Sequence, residues 1–238
     1  MLKLRLVIVE PEGRINMGFI FRLAKNFEVD EICIVNPQFH INDPEVIEFS
    51  AKGADLIEKA IIKNSLSECL EGVKLSICTT AIADPESDVL RHGVQPEVLP
   101  YIIPYDGVLA LVFGRESVGL KREELKECDV VSTLETGSEY NVLNLSHAVA
   151  IYLYEVKKAL INQRVKPRYE CSEDVLKAIR RELSNLSIAL NDEKGVRALK
   201  NLIFRSAPRA AECGALYKLL KSLRYVAEKA KSLNTEYD

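Results

Sequence analysis

Two stretches place glycine and polar residues directly after buried strands. The turn Gly114–Gly119, a Gly-x-Glu-x-x-Gly pattern, follows the apolar run Val108–Phe113, and Asn144–Ser146 closes a polar loop after the run Asp129–Leu134. A glycine has no side chain and therefore lets backbone N–H and C=O groups approach a flat ligand closely. Because the carboxyl ends of parallel strands meet at one edge of an α/β sheet, the sequence predicts a ligand pocket there. The alternative for the first stretch is a purely structural strand-to-helix turn.

A second candidate group lies at the predicted start of the first helix. Asn16 suits the N-cap, Gly18 allows close packing, and Arg22 lies one helical turn further on. An arginine near a strand-end pocket can hold a phosphate through two hydrogen bonds, and the alternative is a surface salt bridge.

Three kinds of site are disfavoured by spacing. The stretch Gly114–Lys121 nearly matches a phosphate-binding P-loop, but its lysine comes one residue late and Arg122 stands where a metal-binding Ser or Thr should follow. Ser146 and His147 are adjacent, so they would point about 100° apart on a helix, and no G-x-S-x-G elbow supports a hydrolase. With three histidines and no Cys-x-x-Cys pair, no metal site is expected.

Composition indicates an ordinary globular protein. The chain has 238 residues, of which 47% are hydrophobic and 28% charged. No apolar run approaches the roughly 18–20 residues that a membrane span requires, and we expect neither a signal peptide nor a membrane partner. Cys33 and Cys78 fall in predicted buried strands, so we expect reduced cysteines that pack the core, in a reducing cytoplasm.

Charge is divided unevenly along the chain. Residues 1–164 carry 17 basic and 25 acidic side chains, a net charge of −8, whereas residues 165–238 carry 15 and 10, a net charge of +5. A basic tail on an acidic core suggests contact with a polyanion, and a solvated helical face is the alternative. Tyr217 and Tyr225 flank three basic residues at every third position, Lys218, Lys221 and Arg224, which is a weak sign of RNA contact.

Short Val-, Ile- and Leu-rich runs alternate with amphipathic segments up to residue 160. This alternation predicts an α/β domain with a parallel sheet flanked by helices. The predicted strands are Leu4–Glu10, Glu31–Asn36, Lys74–Thr80, Val108–Phe113 and Asp129–Leu134, and the predicted helices are Gly18–Phe27, Ala54–Ala60, Ser65–Glu71, Lys121–Cys128 and Leu143–Leu160.

After residue 160 the pattern changes to helices alone. We assign residues 1–160 to the α/β domain, 161–169 to a linker and 170–238 to a small basic helical extension. The extension is predicted to contain helices Ser172–Leu190, Glu193–Phe204 and Pro208–Leu233 and to pack on the first domain or on a second subunit.

Three collinear motifs give the chain a family resemblance. It resembles the SpoU-type branch of the SPOUT superfamily of RNA methyltransferases, and most closely the TrmJ-type tRNA 2′-O-methyltransferases. The motifs that carry it are Asn16-x-Gly18-x-x-x-Arg22-x-x-x-Asn26-Phe27, Val112-Phe113-Gly114-Arg115-Glu116-x-x-Gly119-Leu120 and the run Tyr140–Ala150.

The resemblance implies a fold, a cofactor and partners. The fold would carry a C-terminal trefoil knot, which no pattern argument would propose because knots are so rare. The protein would be a homodimer that methylates tRNA on a ribose 2′-oxygen, at nucleotide 32 of the anticodon loop. The donor would be S-adenosylmethionine, without a metal, bound by Thr79, Thr80, Ala81, Gly114, Gly119, Leu134, Asn141, Val142, Leu143 and Asn144.

By the same resemblance, catalysis falls to residues of the three motifs. Arg22 would orient the ribose and stabilise its developing alkoxide, Asn16 would position Arg22 or the ribose, and Glu116 would order the pocket. Ser146 is a further candidate, since Val142 stands where many relatives carry a serine. Ile82 likewise stands where relatives often carry arginine. The expected RNA contacts are Arg22, Arg115, Arg197, Lys200, Arg205 and Arg209.

Two alternatives remain open at this level. The enzyme could act on ribosomal RNA or on another tRNA position, with the basic tail recognising a different shape. The chain could also be a non-catalytic RNA-binding dimer of the same fold, for which Val142 is the only support and which intact Asn16, Arg22, Glu116 and Asn144 oppose.

Overall fold

The computed structural model describes residues 1–82, 88–91, 93–104, 106–162 and 171–235. Within them, six parallel strands form one sheet in the order β3-β2-β1-β5-β4-β6. The strands are β1 (Leu2–Val9), β2 (Glu31–Val35), β3 (Ile61–Lys63), β4 (Leu75–Thr80), β5 (Gly107–Phe113) and β6 (Val130–Thr133).

The five predicted strands are confirmed within a few residues, but β3 was missed. It has only three residues, and both of its isoleucines are exposed at the edge of the sheet. A short edge strand carries neither the continuous apolar run nor the alternation from which a strand can be predicted.

Helices cover both faces of the sheet and form the C-terminal region. They are α1 (Arg14–Asn26), α2 (Pro44–Ser50), α3 (Leu66–Cys69), α4 (Leu99–Ile102), α5 (Arg122–Glu127), α6 (Leu145–Asn162), α7 (Glu173–Leu190), α8 (Glu193–Ser206) and α9 (Ala210–Thr235). One set of buried side chains packs between the sheet and α1, α6 and the extension, and a second set lies under α3 and α5. The predicted α/β class with a helical C-terminal region is confirmed, while the knot stays a prediction.

The start of α1 differs from the prediction. The helix begins at Arg14 with Gly13 at the N-cap, so Asn16 lies inside the first turn and does not cap it. Gly18 does allow close packing, since a Cβ there would lie 2.6 Å from the Cβ of Phe49 and 2.8 Å from the carbonyl oxygen of Val46. Asn16 is thereby released for a contact elsewhere.

The segment after β2 was also predicted wrongly. A helix was expected at Ala54–Ala60, but α2 ends at Ser50 and a 3₁₀ helix continues over Ala51–Leu56. The missed signal was Asp43, which accepts a hydrogen bond from the backbone N–H of Glu45 and caps α2, with Pro44 in its first turn.

All six cysteines form disulfides, so the expectation of reduced thiols is wrong. The pairs are Cys33–Cys69, Cys78–Cys128 and Cys171–Cys213, with Cα–Cα distances of 5.9, 5.8 and 6.1 Å. Cys33 and Cys78 are buried as predicted. Their partners lie 36 and 50 residues further on, separations that no short motif can reveal. The cysteines therefore give no support for a reducing compartment.

The extension packs on the first domain of its own chain. Ser172 caps α7 as predicted, and Arg180 of α7 makes an ion pair of 2.6 Å with the fully buried Asp129 at the start of β6. Asn201 of α8 donates a hydrogen bond of 2.9 Å to the carbonyl oxygen of Val89. Helix α6 continues to Asn162, past the predicted boundary at 160, and residues 163–169 of the expected linker lie outside the described part. The division into domains stays a prediction.

Among the described residues, no helix combines the length and apolar character needed to cross a membrane.

Candidate functional site

A cleft of about 220 Å³ opens at the carboxyl ends of β4, β5 and β6. This is the edge at which open parallel sheets bind ligands. Its walls come from the three segments 79–82, 113–120 and 134–148, and its floor is formed by the apolar side chains of Phe113, Leu145, Ala148 and Tyr152.

The structure brings together nine of the ten residues predicted to bind a cofactor. Those that line the cleft are Thr79, Thr80, Ala81, Gly114, Gly119, Leu134, Asn141, Val142 and Leu143. Asn144 lies between the lining residues Leu143 and Leu145 but is not itself part of the lining. The apolar floor was missed, although Tyr152 already stood on the predicted apolar face of α6.

Two contacts hold Tyr152 in the floor of the cleft. Its ring packs edge-on against Phe113 at 5.5 Å, and its hydroxyl donates a hydrogen bond of 2.9 Å to Ser132 Oγ. Burial raises the pKa of Tyr152, partly offset by that hydrogen bond. The phenol therefore stays neutral.

The turn Gly114–Gly119 forms one wall of the cleft and requires glycine. A Cβ on Gly114 would overlap the peptide that joins Gly119 to Leu120, and Gly119 has a φ of +66°. Two backbone hydrogen bonds between Arg115 and Gly119, of 2.9 and 3.2 Å, close the turn. Gly114 thus lets the two ends of the turn pack against each other, and at Gly119 a Cβ would meet nothing within 4 Å.

Glu116 fastens this turn to the start of α1. Its carboxylate accepts hydrogen bonds from the backbone N–H groups of Glu12 at 2.9 Å and Gly13 at 3.2 Å, and from Asn16 Nδ2 at 3.1 Å. Glu12 reciprocates, because its carboxylate accepts bonds from the N–H and the hydroxyl of Ser117 at 3.1 and 2.7 Å. A carboxylate at the N-terminus of a helix is also favoured by the helix dipole.

Asn16 extends the connection to the third motif. Its Oδ1 accepts a hydrogen bond of 2.9 Å from Asn144 Nδ2, and Asn144 Oδ1 accepts bonds from the N–H and the hydroxyl of Ser146 at 2.9 and 2.7 Å. The hydroxyl of Ser146 is therefore engaged at the start of α6, and the side chain is buried away from the cleft lining. Glu116, Asn16 and Asn144 form one hydrogen-bonded chain, which we call the motif chain.

Arg22 is not part of the motif chain. Its side chain is exposed, lies outside the cleft lining, and forms no hydrogen bond or ion pair within the described residues. The alternative of a surface salt bridge therefore finds no partner there. Arg22 presents a guanidinium to whatever approaches α1.

Three of the expected RNA contacts are instead held in the interior. Arg115 is buried between Glu10 and Glu124, at 2.6 and 2.8 Å, and these carboxylates raise its pKa. Arg197 and Lys200 donate to backbone carbonyls at the end of α5, and burial lowers their pKa values to about 10 and about 8. These three side chains support the fold and are not presented to RNA.

Two other positions of interest lie at the mouth of the cleft. Val142 and Ile82 are both exposed and both line the opening. The two positions at which the resemblance noted a departure from serine and arginine therefore lie at the opening of the cleft. Among the described residues, no cluster of three or more His, Cys, Asp or Glu could hold a metal ion.

The SpoU rRNA Methylase family matches residues 3–154, the segment that contains the sheet, the cleft and the motif chain. The chain belongs to the SpoU methylase family. The match ends within α6, so the helical extension lies outside it.

Two relatives within this family are tRNA methyltransferases. The chain is 51% identical to tRNA (cytidine-2′-O-)-methyltransferase TrmJ of Sulfolobus acidocaldarius over 154 residues, which cover 64% of each chain. It is 30% identical to tRNA (cytidine/uridine-2′-O-)-methyltransferase TrmJ of Yersinia pestis over 242 residues, covering 92% of this chain and 91% of that one. The first match thus spans just under two thirds of that relative's length, whereas the second includes the extension.

A solved structure shows the same fold. The SpoU methyltransferase AviRb of Streptomyces viridochromogenes, in complex with the cofactor AdoMet, superposes with a TM-score of 0.56 at 18% identity. The superposition covers 67% of this chain and 61% of that chain.

Proposed function

We propose that the protein transfers a methyl group from S-adenosylmethionine to the ribose 2′-oxygen of a cytidine or uridine in tRNA. The observation that carries this proposal is the cleft itself. Nine predicted donor-binding residues, drawn from three separate segments, line one cavity beside the motif chain. The relatives with tRNA methyltransferase activity and the AdoMet-bound SpoU structure support the same conclusion.

The cleft suits such a donor chemically. It offers an apolar floor for a flat adenine ring, and at Gly119 it offers backbone without a side chain in front of it. When bound, S-adenosylmethionine supplies an electrophilic methyl group whose bond to sulfur breaks as the ribose oxygen attacks. No metal is needed, since the methyl group of a sulfonium is already reactive.

The site must then align the ribose 2′-hydroxyl, which is a weak nucleophile, and allow its proton to leave. We assign Arg22 to orient the ribose and stabilise the developing alkoxide, because arginine keeps its own proton in proteins. The proton passes to an RNA phosphate in this proposal. Asn16 and Glu116 hold the start of α1, which carries Arg22, in a fixed position against the cleft.

Arg22 lies outside the cleft of its own chain, which favours a homodimer. Helices α1 and α6 pack against each other and present the exposed apolar side chains Ile15, Phe19, Ile151 and Tyr154. We propose that these side chains form the contact between two copies, with the active sites close to that contact.

For RNA we retain Arg22, Arg205 and Arg209 from the predicted set. Arg209 is exposed, and Arg205 is half-buried with its Nε donating to the carbonyl oxygen of Asn201 at 3.0 Å. Lys218 and Lys221 add exposed charge on α9. The target that the resemblance implies is nucleotide 32 of the anticodon loop.

Methyl transfer from labelled S-adenosylmethionine to bulk tRNA and, separately, to ribosomal RNA tests the proposal. We expect label on tRNA, mapped by mass spectrometry to a 2′-oxygen of nucleotide 32. Label on ribosomal RNA alone would move the substrate and contradict the tRNA assignment. Donor binding without transfer to either RNA would favour a non-catalytic RNA-binding dimer, and Val142→Ser would then test whether a missing hydroxyl is the cause.

A further inference from the structure

We infer that Arg197, in the helical extension, is a positioning residue for the donor cleft. Its guanidinium holds the end of α5, and α5 in turn holds the turn Gly114–Gly119 that forms one wall of the cleft. The inference rests on the proposed function in one respect, since it takes that cleft to be the donor site. It gives the extension a part in methyl-donor binding that does not require RNA.

The first step is the grip on α5. Arg197 Nη1 donates to the carbonyl oxygens of Lys126 and Cys128, both at 3.0 Å, and Nη2 donates to that of Leu125 at 3.2 Å. Lys200 Nζ adds a bond of 2.9 Å to the oxygen of Cys128. The last carbonyls of a helix have no partner within it, and cations are favoured at that end. The extension therefore caps α5 from outside.

The second step runs along α5 to its other end. Glu124, in the first turn of α5, accepts a hydrogen bond of 2.6 Å from the N–H of Lys121 and two from Arg115, at 3.0 and 2.8 Å. Arg115 is the second residue of the cleft turn, and its Nη1 also donates to the oxygen of Gly119 at 3.1 Å. A shift of α5 thus pulls on the residue that closes the turn.

The third step is the burial of Arg197, which makes the end of α5 sensitive to loss of the guanidinium. Arg197 is 9% exposed, and its Nε has no hydrogen-bond partner within the described residues. Its charge is held by dipoles of the α5 carbonyls, and no carboxylate in the described part of the chain forms an ion pair with it. Removing the guanidinium takes the extension's donor from the carbonyl of Leu125 and leaves those of Lys126 and Cys128 to Lys200 alone, so the end of α5 must shift to regain hydrogen bonds. The extension is a support for the cleft as well as a carrier of basic side chains.

The test is isothermal titration of S-adenosylmethionine into the full-length protein without RNA. The disulfides are left intact, as in the structure, because Cys171–Cys213 bridges the extension that carries Arg197. We expect Arg197→Met to weaken donor binding about tenfold, the size of effect that contact chains of this kind transmit. Arg197→Lys should recover much of the affinity. The matched control is Lys194→Ala, an exposed lysine on the same helix, which should leave the affinity unchanged.

A purely structural role would lower the melting temperature but leave the affinity unchanged well below it. Unchanged donor affinity in folded Arg197→Met would therefore overturn the inference. If that variant does not fold, Lys200→Met is titrated in its place, because Lys200 reaches the same carbonyls and is less buried. Absence of donor binding by the wild-type protein would instead refute the proposed function. Amide exchange of residues 114–119 would then decide the inference, which requires faster exchange in Arg197→Met than in Lys194→Ala.

Discussion

Replacing Glu116 by glutamine should slow methyl transfer by an amount that the structure allows to be worked out. A glutamine whose carbonyl oxygen takes the place of Oε1 keeps the bonds from Gly13 N–H and Asn16 Nδ2. Its amide NH₂ then faces the N–H of Glu12, so the bond of 2.9 Å is lost. That bond is charge-assisted, and the two that remain lose their charge.

A lost hydrogen bond to a charged group costs about 1.5–3 kcal/mol, and the half-exposed position reduces the total to about 2 kcal/mol. At 1.4 kcal/mol for each factor of ten, kcat/KM should fall about thirtyfold. The measurement is initial rates of methyl transfer to tRNA, with Ser117→Ala as control. Ser117 lies in the same turn and loses one exposed bond to Glu12, so we expect less than about a fivefold loss. A wild-type rate for Glu116→Gln would refute the reasoning that its charge orders the site.

Four further outcomes are expected. Arg22→Ala should abolish methyl transfer but spare donor binding in a titration, while Lys25→Ala on the same helix should leave both intact; transfer by Arg22→Ala would remove it from the mechanism. Gly114→Ala should eliminate donor binding, since its methyl group would overlap the peptide after Gly119, and a measurable affinity would contradict that overlap. Reduction of the disulfides should lower the free energy of unfolding by about 4 kcal/mol for each bridge, because the bridges close loops of 36, 50 and 42 residues. Equal denaturant midpoints with and without reductant would be inconsistent with the bridges. Burial alone would raise the pKa of Asp129, but the charges of Arg180 and Lys200 outweigh burial and lower that pKa. The ionised carboxylate therefore contributes its full stabilisation above the ordinary aspartate pKa, and this stabilisation is lost as the pH falls through the lowered pKa of the folded state. Asp129→Asn should flatten the acid unfolding transition below about pH 4, and an unaltered transition would show that another carboxylate governs it.

The cleft could be predicted from the sequence because its determinants are local. Strand runs that are buried on both faces fix where a parallel sheet ends, and glycines mark where backbone must come close to something. One wall of the cleft could therefore be predicted from Gly114 and Gly119, and another from the polar loop before α6. What each side chain does there depended on the family resemblance and stays a proposal.

The errors concern contacts between residues far apart in the chain. A positive charge on an amphipathic helix looks the same whether it faces RNA or a set of buried carbonyls, as Arg197 and Lys200 do. Arg115 was misassigned for the same reason, since its two carboxylate partners come from β1's end and from α5. Cysteine pairing is equally non-local, because the fold alone brings together residues 36 to 50 positions apart.

Asn144 both caps α6 and holds Asn16, so a substitution there changes the stability of the helix and the motif chain together. Its Oδ1 caps α6 through the backbone N–H of Ser146, while its Nδ2 holds Asn16 in the motif chain. Aspartate would cap the helix equally well but has no N–H to offer Asn16, and serine is too short to reach both. Adaptation of this protein to heat or cold must therefore leave position 144 unchanged and act through other helix starts, such as those that the side chains of Asp43, Ser172 and Asp192 cap.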